Sequence, residues 1–246
     1  VSPHRQRPAG GVPVVAITAQ LSDGSGTAGS GIVLTSTGLV LTNQHVVAGA
    51  VELQATSGDS RAYPAVIVGT DPARDIALIQ LEDATGLPTA RIGHRAWVDE
   101  PVVAIGNAWG SEITMTRGLV TRLHQSISAT SRPTGPATGA SQLGVSRTGV
   151  MRDLIQVDAG IVPGESGGAL VDDHDRVVGV IVAYIPAHGA DTDTAAATGE
   201  GYAIPISAAL HAADQLAHSA RPHTAQQPTG SAWPTTTWPV HGGWGR

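Results

Sequence analysis

The sequence predicts an all-β protein, and three observations carry the prediction. Apolar residues fall in many short runs separated by Gly, Asp, Pro and Ser, the pattern of a β-barrel or sandwich. Gly (31) and Pro (16) are abundant among the 246 residues, which favours turns over long helices. No helix-length segment separates the runs, which argues against a parallel sheet with crossover helices. Aromatic residues make up only 3%, with no Phe, so the core is built from Val, Ile, Leu and Ala.

Along the chain, residues 1–11 are polar, rich in Pro and Arg, and read as an extended arm. Strands are expected at 14–18, 31–34 and 39–41, the last two flanking the hairpin signal Ser36-Thr37-Gly38. Runs at 51–55, 65–68 and 76–81 complete a first set within residues 12–96. Residues 86–92 read as a crossing segment. A second set, within residues 97–204, has runs at 102–105, 113–115, 119–123, 154–157, 169–171 and 177–184. Residues 126–150 are rich in Ser, Thr, Gly and Ala without periodicity, and are expected to form a long surface loop. One helix is predicted, over 205–220. Pro205 suits a first helical turn, and Ile206, Ala209, Leu210, Ala213, Leu216 and Ala217 recur at helical spacing. Residues 221–246 are Pro/Thr/Gln/Gly-rich, carry Trp233, Trp238 and Trp244, and read as a flexible tail.

Apolar residues at 41% and charged residues at 14% describe a globular chain. The net charge is −6 and no arginine stripe forms, which argues against a nucleic-acid partner. There is no Cys, so neither a disulfide nor a thiolate site. No apolar run approaches the roughly 20 residues of a membrane span. The chain begins at Val1 rather than Met, and a signal peptide or cell-envelope anchor would lie upstream of it. The ten histidines are scattered and no His-Glu-x-x-His occurs, so no metal and no other cofactor is expected.

The sharpest motif is Pro163-Gly164-Glu165-Ser166-Gly167-Gly168. A serine hydroxyl is a weak nucleophile that needs a general base and a place for the developing oxyanion. Glycines on both sides let the backbone bend so that the Gly164 and Ser166 N–H groups converge as oxyanion donors. The base must be a histidine. Nine of the ten lie at termini, on the helix or among turn residues, whereas His45 follows a strand inside the apolar stretch Leu41-Thr42-Asn43-Gln44-His45-Val46-Val47. The third member orients the imidazole. Asp75, directly before the apolar strand 76–81, fits this role, while Asp71 beside Pro72 suits a turn. The Gly164–Gly168 segment also matches the nucleophile elbow of α/β-hydrolases, but those enzymes run Ser, acid, His, and place a helix after the serine. Here the order is His, Asp, Ser and an apolar strand follows.

Several segments together resemble the trypsin/chymotrypsin clan, and within it the HtrA/Deg-like serine proteases of secreted actinobacterial, mycobacterial-type members. They are Gly29-Ser30-Gly31-Ile32-Val33, Thr42-Asn43-Gln44-His45-Val46-Val47, Asp71-Pro72 with Asp75-Ile76-Ala77-Leu78, Gly106-Asn107, Gly118-Leu119-Val120, the serine motif led by Gln156-Val157-Asp158-Ala159, and Gly201-Tyr202-Ala203-Ile204-Pro205. The resemblance implies two perpendicular six-stranded antiparallel Greek-key barrels, with His45 and Asp75 from the first and Ser166 from the second. It implies a serine endopeptidase acting on protein or peptide substrates outside the cytoplasm: secreted, periplasmic or in the cell envelope. A homo-oligomer is expected by the same resemblance. The alternative is a protease-like chaperone or peptide-binding module whose site rests or is inactive.

The chain departs from the family in three places. HtrA proteases usually carry a C-terminal PDZ domain, whereas a helix and a short tail follow Ile204 here. Glu165 stands where trypsins have an Asp that pairs with a newly cut N-terminus and where many HtrA proteins have Asn. The segment 126–150 is longer than its usual counterpart. By resemblance the specificity pocket is walled by Ala159, Gly160 and Ile161, with Val182, Ala183 and Tyr184. Gly160 stands six positions before Ser166, where trypsin has an acid, so cleavage after small or medium aliphatic residues is expected. A histidine base must be neutral, so activity is expected to fall as pH drops through about 6–7.

Overall fold

The computed structural model describes residues 12–108, 112–130, 148–182 and 201–220. The N-terminal arm, most of the expected surface loop, and the Trp-bearing tail lie outside these residues. The first half begins with β1 (Val14–Leu21), β2 (Gly26–Val33) and β3 (Leu39–Thr42). A single helical turn, α1 (Gln44–Val47), leads to β4 (Ala50–Thr56), β5 (Ala62–Asp71) and β6 (Ile76–Leu81). These six strands close an antiparallel barrel in the order β1-β2-β3-β6-β5-β4.

The second half holds β7 (Arg91–Ile92), β8 (Pro101–Ala108), β9 (Glu112–Thr130), β10 (Thr148–Val157), β11 (Ala169–Val171), β12 (Arg176–Val182) and β13 (Gly201–Pro205). They form one sheet in the order β11-β8-β9-β10-β13-β12-β7, and a further pairing of β11 with β12 closes six of them into a ring. The short β7 adds to β12 in parallel, so the segment leaving the first barrel is already part of the second sheet by Arg91. Helix α2 (Ile206–Ser219) starts directly after β13, with Pro205 as its N-cap rather than its first helical residue.

Two expectations change. Runs 113–115 and 119–123 are parts of one strand, β9, which bends at His124 (φ 56) and shifts register against β10 beside Leu154 and Gln156. Irregular ladders of this kind let a long strand curl around a barrel, and they also blur its alternation in the sequence. The expected loop 126–150 is strand at both ends, since β9 runs to Thr130 and β10 begins at Thr148. Backbone pairing there needs no apolar pattern, which is why composition alone read it as loop.

Side-chain alternation distributes the core. On β6, Ala77, Ile79 and Leu81 fill the first barrel with Val15, Ile17 and Val40. Ile76 and Leu78 point the other way, into a cluster shared with Ile105, Val180 and the helix residues Ile206, Ala209 and Ala213. The second barrel has its own interior around Val102, Val120, Ile155, Leu170 and Ile181. Burial of β6 on both faces locks the two barrels and α2 together, and fixes the strand that follows Asp75.

Candidate active site

Asp75 sits at φ 58 between the turn at Asp71 and β6. Aspartate is one of the few side chains that adopts this left-handed conformation readily. Asp71 takes the turn role, accepting hydrogen bonds from the Arg74 amide and guanidinium. The twist turns the fully buried Asp75 carboxylate towards α1. It accepts the His45 backbone N–H at 3.0 Å through Oδ1, and His45 Nδ1 lies 3.1 Å from Oδ1 and 2.9 Å from Oδ2. A carboxylate accepts only, so the ring proton on this side belongs to Nδ1. The Asp75 carbonyl is held by the Asn43 side-chain amide (3.0 Å) and the Gln44 N–H (3.2 Å). The His45 side chain keeps 12% exposure against none for Asp75, so the ring has one open edge.

Ser166 lies across the seam in the second barrel. Residues Val162–Glu165 form a tight turn with Glu165 N–H donating to the Val162 carbonyl, and Gly164 at its third position has φ 95, the signature of a type II turn. The next amides are committed: Gly167 N–H donates to the Ile181 carbonyl and Gly168 N–H to that of Glu165. At Gly167, with φ 83, an added Cβ would lie 2.2 Å from the Ser30 carbonyl oxygen and 2.3 Å from Thr42 Oγ1. The turn is therefore pressed directly onto the strands that lead to His45.

Ser30 binds the two halves. Its N–H donates to the Ser166 carbonyl (2.8 Å) and its hydroxyl to the Gly164 carbonyl (2.8 Å). The same hydroxyl accepts the Asn107 N–H (2.7 Å), and its carbonyl accepts Thr42 Oγ1 (2.6 Å). The turn carrying Ser166 is thus referenced to Ser30 and Thr42 of the barrel that carries His45 and Asp75. Sequence reasoning quoted Ser30 only as part of a glycine motif. Its one signal in the sequence was a polar residue flanked by two glycines, and its burial appears only in the fold.

Glu165 is also buried, and it meets no cation among the described residues. Its carboxylate accepts the Val162 N–H (2.9 Å) and the Thr114 hydroxyl (2.9 Å). Burial raises its pKa above the ordinary carboxylate value, and these two hydrogen bonds offset that only in part. The N-terminal arm, whose counterpart in trypsins supplies the partner of the equivalent Asp, lies outside the described residues.

Of the pocket residues, Ala159, Ile161 and Val182 are buried, and Gly160 has φ 59. Ile161 packs against Gly201 at the start of β13, where Val182 pairs with Tyr202. Val182 follows Ile181, whose backbone holds both Gly167 and Gly168. Ala183 and Tyr184 lie outside the described residues.

Two β-barrels, with a buried Asp hydrogen-bonded to a His in one and a glycine-flanked serine in the other, define the trypsin-like class. The family model of the trypsin-like peptidase domain matches residues 29–180, and the chain belongs to that family. Its relatives are HtrA/Deg proteases. The serine protease PepD of Mycobacterium tuberculosis is 36% identical over 201 residues, covering 76% of this chain and 40% of that protein. The serine endoprotease DegS of Escherichia coli is 32% identical over 198 residues, covering 79% and 50%. The solved structure of the HtrA-type protease AlgW with a tripeptide superposes with a TM-score of 0.67 at 29% identity, covering 85% of this chain and 61% of that one. The chain thus spans about half or less of the length of these curated relatives.

Proposed function

We propose that the chain is an extracytoplasmic serine endopeptidase that hydrolyses peptide bonds through His45, Asp75 and Ser166. The observation that carries the reading is the Asp75 carboxylate gripping both the backbone and the ring of His45, in a barrel to which the Ser166 turn is bonded. In this reading Ser166 Oγ attacks the scissile carbonyl while His45 Nε2 takes its proton, and Asp75 stabilises the imidazolium that forms. The Gly164 and Ser166 N–H groups receive the oxyanion. Collapse of the tetrahedral adduct passes the proton to the leaving amine, and water then releases the acyl group from Ser166 by the same steps reversed.

The pocket residues support cleavage after small or medium aliphatic side chains. Ala159, Gly160 and Ile161 offer no carboxylate, and the nearby Asp158 is committed to the Leu119 N–H. A peptide library read by mass spectrometry should show Ala, Val or Leu at the cleaved position, and stronger cleavage after Arg would refute the assignment. The extracytoplasmic setting rests on relatives such as the Chlamydia trachomatis protein named "Probable periplasmic serine endoprotease DegP-like". The mechanism is tested with a fluorophosphonate probe, which reacts with activated serines. Wild type should label while Ser166→Ala and His45→Ala do not, and a folded wild type that fails to label would overturn the reading.

A further inference from the structure

A second histidine–carboxylate group lies where the chain passes between the barrels. His94 and Glu100 come from the segment joining β7 to β8, and Asp172 from the turn between β11 and β12. Each carboxylate has one oxygen spent on backbone amides. Glu100 Oε2 accepts the Trp97 N–H (3.2 Å), and Asp172 Oδ1 accepts the His174 and Arg176 N–H groups (2.9 Å each). Their other oxygens both face His94 Nε2, at 3.8 Å for Glu100 Oε1 and 3.4 Å for Asp172 Oδ2.

The tautomer of His94 makes this arrangement informative. Its Nδ1 lies 2.9 Å from the Arg95 carbonyl, which can only accept, so Nδ1 carries the proton. Neutral His94 therefore aims the Nε2 lone pair at two carboxylate oxygens. The Trp97 ring stacks on His94 and fixes its plane, with centroids 4.8 Å apart. Asp172 Oδ2 also receives Arg176 Nε (2.8 Å), which takes one of its lone pairs. Among the described residues Glu100 Oε1 has no hydrogen-bond partner, although Glu100 is only 2% exposed. A buried polar atom of this kind needs a partner, and a bound ion is one that fits its surroundings.

We propose that His94 Nε2, Glu100 Oε1 and Asp172 Oδ2 bind a first-row divalent cation, with Zn2+ the best match. One ligand atom from each of the three residues lies within 4.8 Å of the other two. A tetrahedral zinc site with bonds of about 2.0–2.1 Å has ligand–ligand edges of about 3.3–3.4 Å, so ligand shifts of tenths of an ångström to about an ångström complete it. An Nδ1–H held by a backbone carbonyl is the usual outer support of a zinc-bound imidazole. One nitrogen and two carboxylate oxygens favour zinc over calcium, whose sites take six or more oxygens. Access is available, because the His94 side chain is 35% exposed and borders a surface depression of about 300 Å³ that Leu123, His124 and Ile206 also line. The fold assembles this site from residues that look scattered in the sequence. A bound ion would tie the interbarrel segment to the β11–β12 turn.

The test uses the whole chain carrying Ser166→Ala, which removes self-cleavage and makes the result independent of the proposed protease activity. Calorimetric titration with Zn2+ should find one tight site, and Co2+ in its place should give the intense visible bands of a tetrahedral ion. His94→Gln and Glu100→Gln, each checked for folding by circular dichroism, should weaken Zn2+ binding by at least the roughly 10- to 100-fold that loss of even an outer partner costs. Absence of Zn2+ binding to the folded chain would overturn the proposal, leaving His94 as an ion-pair partner only. Binding that survives both substitutions would overturn it equally, since the histidines of other segments would then be the ligands.

Discussion

His45 and His94 are the same side chain wired in opposite senses. In His45 the Nδ1 proton points at a buried carboxylate, 2.9 Å from Asp75 Oδ2. In His94 it points at a neutral backbone carbonyl, and the carboxylates face Nε2 instead. A carboxylate behind the ring makes positive charge on it easier to bear, which suits a proton acceptor. Carboxylates in front of the ring compete for whatever cation Nε2 can hold, which suits a ligand set. Histidine content alone says nothing about role; the partner of Nδ1 decides it.

Removing either of the groups proposed to react is the most severe test of this contrast. Ser166→Ala and His45→Ala should each lower kcat on a peptide with an aliphatic cleavage site by about a millionfold, the loss usual when such a unit is broken. Residual turnover within a hundredfold of wild type would place the chemistry elsewhere. Asp75→Asn is the next largest effect. Asparagine tolerates φ 58 and can still accept the His45 N–H through its remaining oxygen. Its NH2 group would face Nδ1, however, and force the ring proton onto Nε2, so kcat should fall by about 10⁴ while the melting temperature changes little. A near-normal rate would mean that the partner of Nδ1 does not set the role of the ring.

Much of this was legible in the sequence because it is local. His45 sits in a motif with strand on one side, Asp75 opens an apolar strand, and Ser166 lies in a glycine turn, each within a few neighbouring positions. Both Asn residues of the chain fall at the seam: Asn43 holds the Asp75 carbonyl, and the Asn107 amide reaches Ser30. Ser30 itself was not legible as a hub, because its partners lie 77 and 134 positions away and nothing local marks them. The His94 group was hidden for the same reason, its third ligand atom arriving from a turn after β11. Strand β9 was divided in two because Thr116-Arg117-Gly118 interrupts the apolar pattern on which strand recognition rests, although these residues stay paired with β8.

Ser30→Ala sharpens the comparison from the side of the scaffold. It leaves His45 and Asp75 untouched and removes the hydroxyl that joins the Gly164 carbonyl to the Asn107 amide. Two buried polar groups lose their partner, at a cost of about 1–3 kcal/mol each in stability. If the seam positions the Ser166 turn, kcat should also drop roughly ten- to hundredfold with KM little changed, since small displacements of a nucleophile are expensive. A stability loss with an unaltered kcat would make Ser30 a purely structural tie.

Glu165 gives the smallest and most discriminating effect. Like Asp75 it is a buried acid beside a proposed catalytic residue, but its partners are neutral donors, and burial raises its pKa. Between the ordinary carboxylate pKa near 4.3 and the higher folded value, the native state keeps a proton that the unfolded chain releases. Stability contributed at low pH is therefore lost as pH rises through that window, and the loss stays constant above it. Glu165→Gln lacks this titration and can retain both contacts, accepting the Val162 N–H and donating to Thr114 Oγ1, whose hydroxyl can turn to the Gly106 carbonyl. In urea unfolding at a series of pH values, the variant should match wild type below about pH 4 and become progressively the more stable of the two towards neutrality. The opposite trend, with wild type gaining on the variant as pH rises, would mean that a cation reaches Glu165 in solution. Glu165 would then be wired to a positive partner, as Asp75 is to His45 in the proposed mechanism, and the N-terminal amine, which pairs with the equivalent Asp in trypsins, would be the first group to test.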